Sequence, residues 1–209
     1  MRRKQLAIGL LVSFFMLVAH AKAQKNELSG IIGRTFINDQ VIQNSGSSDN
    51  KLRFGFGLTY EVNYARRLWT GPGFALSAEV PFVGNPDEDL HAALPNRIPP
   101  QYGSMFVTPA ARVTAFPDRG VSFWLSLGGG FGHFHEDSSL LFGGHNPGPT
   151  GTNTGVLQAG VGLDVKLIHS LSLRGEGREF WSGAPQLDVN PGTNRNRNIF
   201  VGGGIVWHF

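Results

Sequence analysis

The chain has 209 residues, no cysteine, 29 glycines and 41% hydrophobic residues, which fits one domain rather than several. Of its 18 basic residues, Arg2, Arg3, Lys4 and Lys22 fall in the first 23 positions, and 18 less 4 leaves 14 against 15 acidic residues, a net charge of −1 for the remainder. That leaves no electrostatic case for nucleic acid, which would need a clustered basic patch, and the missing cysteines exclude a disulfide framework.

The N-terminus reads as a secretory signal. Arg2, Arg3 and Lys4 form a basic head, Leu6 to Ala19 form an apolar core of fourteen residues, and Ala21-Lys22-Ala23 supplies a small-x-small cleavage site. The core is shorter than the roughly 20 residues a helix needs to span a bilayer. No second long apolar run follows, so no transmembrane helix is expected. The division is residues 1–23 as signal peptide and 24–209 as one β domain.

Eight segments then alternate with a period of two. Leu28 to Ile37 is the least regular, because Arg34 shares a face with Ile32 and Phe36. In "LRFGFGLTYEVNYARRL", Leu52 to Leu68, eight of the nine even positions are apolar or aromatic and no odd position holds a bulky apolar residue. A helix cannot produce that pattern. Phe74 to Val83, Met105 to Phe116, Val121 to His133, Gly155 to Leu167 and Leu171 to Trp181 repeat it. The last segment, "NIFVGGGIVWHF", puts Ile199, Val201, Ile205, Trp207 and Phe209 on one face. Pro109 falls inside the fourth segment, where a ladder donor is lost; a bulge there, or a strand beginning near Ala110, would accommodate it.

The connections alternate in length. "WTGPG", "FPDRG" and "IHS" are tight turns, whereas 38–51, 84–103, 134–153 and 182–197 are long and polar. In an up-and-down meander every long connection lies at one end. This pattern resembles the small outer-membrane β-barrel family, of the OmpA type, over the whole chain after the signal. The resemblance implies an all-β fold: an eight-stranded antiparallel up-and-down transmembrane β-barrel, without the periplasmic cell-wall-binding domain that OmpA-type proteins often add. It implies the outer membrane of a Gram-negative-type envelope, contact with outer-membrane lipid, and assembly by the barrel-assembly machinery. Val201, Ile205, Trp207 and Phe209 match the C-terminal assembly signal of that family, with Gly203 interrupting the spacing.

Alternation leaves open which face is inside. A secreted barrel of the lipocalin kind would turn the apolar face inward. Three features favour the membrane arrangement. The polar face is rich in glycine (Gly55, Gly57, Gly128, Gly130, Gly160, Gly162, Gly202, Gly204), which suits a narrow interior. Aromatic residues gather near segment ends, as in interfacial girdles: Trp69, Phe74, Phe123, Trp207 and Phe209 at one end, Phe54, Phe82, Phe131 and Trp181 at the other. The third feature is the terminal phenylalanine.

With the apolar face outward, Arg53, Glu61, Glu79, Arg112, Asp164, Arg174, Glu176 and Arg178 fall in the lumen. They read as a salt-bridged network that plugs the barrel, since buried charges persist when paired. The expected role is non-enzymatic: envelope structure, with surface interaction through four long extracellular loops and a possible partner there. No cofactor and no metal site is implied. His133 and His135, with Glu136, Asp137 and His145 nearby, have the spacing of two metal ligands but no fixed third. Two alternatives stay open. A lipid A deacylase-like enzyme would need His133, Glu179 and a serine such as Ser138 or Ser139 to meet at the outer leaflet. A narrow, porin-like pore would need an open lumen.

Overall fold

A computed structural model describes residues 25–41, 51–55, 57–92, 99–140, 142–185 and 195–209. The expected signal segment, Gln24, Phe56 and parts of all four expected loops (42–50, 93–98, 141 and 186–194) lie outside the described residues. Among the described residues eleven strands form one antiparallel sheet: β1 (Asn26–Ile37), β2 (Gln40–Val41), β3 (Lys51–Phe54), β4 (Leu58–Gly71), β5 (Phe74–Ala92), β6 (Gln101–Val107), β7 (Ala110–Ala115), β8 (Val121–Glu136), β9 (Gly151–Ile168), β10 (Leu171–Gly183) and β11 (Arg195–His208).

Three pairs of these strands are collinear. β2 pairs β3 in the same register in which β1 pairs β4, β3 and β4 share one register on β5, and β6 and β7 share one register on β5 and on β8. The eleven strands are therefore eight staves. Neighbours in sequence are neighbours in space, and β11 returns to pair with β1 from Glu27↔His208 to Ile37↔Asn198. Asn26 and Phe209 exchange backbone hydrogen bonds of 2.9 Å in both directions, extending that seam by one more pair. The ring is closed, as the alternation predicted, with the tight turns at one end and the long connections at the other.

Alternation decides orientation along each stave. Leu58, Tyr60, Val62, Tyr64 and Leu68 of β4 face out, while Thr59, Glu61, Asn63 and Ala65 face in. On β8, Val121, Phe123, Leu125, Leu127 and Phe131 face out against Ser122, Trp124 and Ser126. The inside-out alternative, with an apolar cavity behind a polar exterior, does not describe this ring.

The expected strand Leu52 to Leu68 is not continuous. It breaks at residues 55–57, and the two parts present opposite faces: Leu52 is buried and Arg53 exposed, but Leu58 is exposed. β5 inverts alongside, with Val83 and Asn85 inward and then Glu88 and Leu90 inward, so the two staves keep their register. Glu88 bridges the break, its Oε2 accepting from Gly57 N (3.2 Å) and from Asn85 Nδ2. β6 absorbs the inversion as a one-residue register shift against β5 between Asn85 and Glu88.

Of the two expected accommodations of Pro109, the strand beginning at Ala110 is found and the bulge is not, and β6 continues the stave before it instead of a longer loop. The stave runs from Gln101 with no register shift across Thr108-Pro109. Thr108 N donates to Pro81 O (3.4 Å) and Pro109 O accepts from Gly129 N (3.1 Å). The ladder loses a single donor, opposite a residue without a side chain.

The interior has two storeys. Nearer the loops, Ile31, Leu52, Leu90, Tyr102, Phe106, Phe134, Val156, Phe180 and Phe200 form an apolar core, with Phe54 packed against it. Phe106 stacks on Phe180 (centroids 4.5 Å, 7° between planes) and meets Phe134 edge-on at 5.6 Å. Phe54, expected in an exterior girdle, instead packs edge-on against Tyr102 at 5.4 Å. Nearer the turns the interior is charged.

The seam sets a sharp steric limit. A Cβ at Gly204 would overlap the Gly30 carbonyl oxygen across β1–β11, whereas a Cβ at Gly175 meets nothing within 4 Å. Gly204→Val is expected to abolish the closed form in detergent refolding, read as loss of the mobility difference between unheated and boiled samples on a denaturing gel. Gly175→Val retains it.

Candidate functional site

The turn-side storey is built by inward positions of seven strands. Arg178 of β10 stands at its centre: Nε donates to Glu176 Oε1 (2.7 Å) and Glu61 Oε2 (3.0 Å), and Nη1 donates to Glu79 Oε1 (2.8 Å). The other oxygen of Glu79 accepts from Asn63 Nδ2 (3.0 Å) and lies 3.5 Å from Arg112 Nη1. Arg112 Nη2 also holds Glu27 Oε2. The same Glu27 oxygen lies 3.4 Å from Arg174 Nη2, and Arg174 grips Asp164 with two bonds of 2.7 Å. Opposite charges thus alternate without a gap: Glu61, Arg178, Glu79, Arg112, Glu27, Arg174, Asp164.

Trp124 fills the middle of this network. The guanidinium carbons of Arg174 and Arg178 lie 5.1 Å from its ring centroid and that of Arg112 lies 5.7 Å away. This is cation–π distance for all three, and the indole is 1% exposed. A Cβ at Gly162 would overlap the indole, so a glycine on the facing stave is what lets a tryptophan fit inside eight strands.

Of the eight residues expected in the lumen, Glu61, Glu79, Arg112, Asp164, Arg174, Glu176 and Arg178 are buried and joined in this one network. Arg53 is a correction. It lies exposed on β3, because the inversion at residues 55–57 exchanges the faces above it. Glu27 and Trp124 belong to the network and were not among the expected residues. Glu27 lies one residue before the first alternation that was recognised, and its parity with Ser29 and Ile31 is the signal that would have placed it inward.

The C-terminal residues are all on the outward face. Val201 and Ile205 are exposed, while Trp207 and Phe209 are half-buried and stacked on one another with centroids 4.6 Å apart. His133 and His135 stack at 6.1 Å on the outer face, and His133 Nδ1 is 2.8 Å from Asn153 Oδ1. Among the described residues no group of three or more His, Asp or Glu is placed to hold a metal. Glu179 is engaged by Arg197. It pairs with Ala159, which pairs with Leu127, so it stands six residues along β8 from the row of His133. That is roughly 20 Å at 3.3 Å per residue. Ser139 pairs with His145 inside the β8–β9 connection.

No family model matches the chain, and no curated protein matches it in sequence. Its fold is similar to that of Neisserial surface protein A, with a TM-score of 0.53 at 11% identity over 88% of this chain and 97% of that one. It is similar also to the outer membrane protein OprG from Pseudomonas aeruginosa, with a TM-score of 0.52 at 11% identity over 90% of this chain and 97% of that one. The chain therefore has the fold of the small outer-membrane barrels.

Truncating one member of a buried ion network leaves its partners charged and unpaired, at a cost of about 3–5 kcal/mol. Arg178→Leu strands Glu61 and Glu176, leaves Glu79 to Arg112 and Asn63 alone, and is expected to lower stability by that amount in urea titrations of the lipid-reconstituted barrel.

Proposed function

We propose that the chain forms an OmpA-type barrel of a Gram-negative-type outer membrane. Its role is envelope structure and surface interaction through its loops, it has no catalytic role, and its lumen is closed by its own side chains. The observation that carries this reading is the change of face along β3–β4 and β5. Over one band the apolar side chains point out; beyond residues 55–57 the apolar side chains point in and Arg53 points out. A wholly solvated barrel has no reason to reverse, whereas one that emerges from hydrocarbon into water does.

The dimensions fit. Outward apolar residues on β8 run from Val121 to Phe131, about 33 Å along the strand at 3.3 Å per residue. A tilt of about 40° reduces this to about 25 Å, the height of the apolar band of such barrels. Exposed Trp69, Phe74 and Phe123 lie toward the turns, and exposed Phe36, Phe82, Phe131 and Trp181 toward the loops. In this orientation the turns face the periplasm, residues 1–23 are removed on export, and Val201, Ile205, Trp207 and Phe209 present the signal read by the assembly machinery. The separation of His133 from Glu179 speaks against an outer-leaflet hydrolase. The aromatic storey above the ion network speaks against a pore.

Two measurements test the reading. Expressed with its N-terminal segment, the protein is expected in the outer-membrane fraction with a heat-dependent mobility, and in planar bilayers it is expected to give no discrete conductance steps. A soluble product, or regular channel openings, would overturn the reading. Leu125→Arg, at a position 65% exposed in mid-strand, is expected to cost about 2–4 kcal/mol in lipid-reconstituted unfolding.

A further inference from the structure

Below the ion network, the turn end of the barrel opens into a vestibule of about 630 Å³, within the size range of small-ligand sites. Four basic side chains converge on it from four separate segments: Lys25 before β1, Arg67 of β4, Arg119 of the β7–β8 turn and Lys166 of β9. Hydroxyls of Ser122 and Ser172 line its wall, and Ser172 Oγ lies 2.9 Å from His208 Nε2.

Three carboxylates also reach this space among the described residues, and two are already engaged from behind. Glu27 is held by Arg112 and Arg174, and Asp164 by both nitrogens of the Arg174 fork. The third, Asp118, is on the rim, 3.8 Å from Arg67 and largely exposed. Lys25, Arg119 and Lys166 therefore outnumber the negative charge available to them at the mouth. Arg119 is steadied there by its guanidinium lying 5.0 Å from the Phe116 ring centroid.

We propose that this vestibule is a binding site for a phosphate group. The network above holds five carboxylates against three guanidiniums, and four cations at the mouth against Asp118 still leave the open end net positive, which calls for an anionic ligand. Convergent ammonium, guanidinium and hydroxyl donors match the several oxygens of a phosphate better than the two of a carboxylate. The same chemistry is offered by a soluble phosphomonoester and by the phosphate of a phospholipid in the adjoining leaflet. The proposal rests on the barrel reading above, which supplies the closed ring and the leaflet beside its turns.

The test uses the full barrel refolded in an uncharged detergent, with the heat-dependent gel shift establishing in each sample that the ring is closed. Binding is measured by titration calorimetry with glycerol 3-phosphate, and by native mass spectrometry with phosphatidylglycerol against phosphatidylcholine. The expected result is saturable binding of one probe or both, weakened at least tenfold in the double variant Lys166→Gln, Arg119→Gln, which keeps its gel shift because both residues lie outside the buried network. Binding of glycerol 3-phosphate alone identifies a soluble ligand, and retention of phosphatidylglycerol alone identifies a headgroup. A closed barrel that binds neither probe, or whose double variant binds as well as the parent, overturns the proposal. The mouth cations then serve only to offset the carboxylate surplus of the network above them. Absence of the gel shift in the parent would instead count against the barrel reading itself.

Discussion

Every backbone donor and acceptor on the apolar-faced part of this sheet must find a partner within the sheet, and that requirement organises the molecule. An open edge beside an apolar exterior leaves polar groups that neither water nor lipid can satisfy. The β1–β11 pairing removes the last edge, and the paired ends Asn26 and Phe209 carry the seam to the turn-side rim. Closing after eight staves also fixes the radius, and a small radius leaves an interior only as wide as side chains from opposite walls can fill. What fills it then follows from parity: whatever the sequence places opposite an apolar residue is forced inside. Charged residues placed there are buried whether or not burial suits them, and they persist because Arg112, Arg174 and Arg178 each find carboxylates on other staves.

Alternation is a local property, and what it governs could be read from the chain. Eight staves, their order, the outward faces of β4 and β8, and the inward placement of Glu61, Glu79, Arg112, Asp164, Arg174, Glu176 and Arg178 all follow from period two. Alternation does not show where the environment outside changes. Leu52 and Phe54 continue the apolar parity of Tyr60 and Val62 in sequence, yet they lie on the other side of the break. Two glycines and the bridging Glu88 permit the inversion, but a tertiary demand, apolar residues seeking the interior once the outside is wet, selects it. Phe106, Phe134, Phe180 and Phe200 escaped recognition for the same reason. They sit on the inward parity toward the loop ends, where the charged residues near the turns gave that face its polar character. Pro109 was legible in part: the strand restarts at Ala110, but on the same stave as β6. The rule that proline disrupts a ladder counts the donor it lacks, but here the facing residue is Gly129 and the cost stops at one bond.

The two storeys of the interior divide the work of closing it. The aromatic storey is an ordinary hydrophobic core, non-directional and tolerant in detail. The ionic storey is directional, and little of its worth lies in net stabilisation, because ion pairs taken out of water roughly repay their own desolvation. Its effect is specificity. Arg178 donates to carboxylates from β4, β5 and β10 together. A one-residue slip of β4 or β5 would turn its carboxylate outward, to the apolar exterior, and leave the guanidinium one partner short inside. Register is therefore enforced twice, by the apolar face outside and by the charged face inside.

Glycine resolves the conflict between that density of side chains and the narrow ring. Trp124 needs more width than eight staves offer, and Gly162 on the neighbouring stave concedes it. With the indole seated there, three guanidinium groups gather round one ring, and their charges are held at the centre of the barrel instead of along its wall. The inward glycines of β8, β9 and β11 are thus the counterpart of the arginines of β7 and β10. The two sets interleave around the ring, β7 beside β8 and β10 between β9 and β11, so the small residues make room for the large cations of the staves next to them.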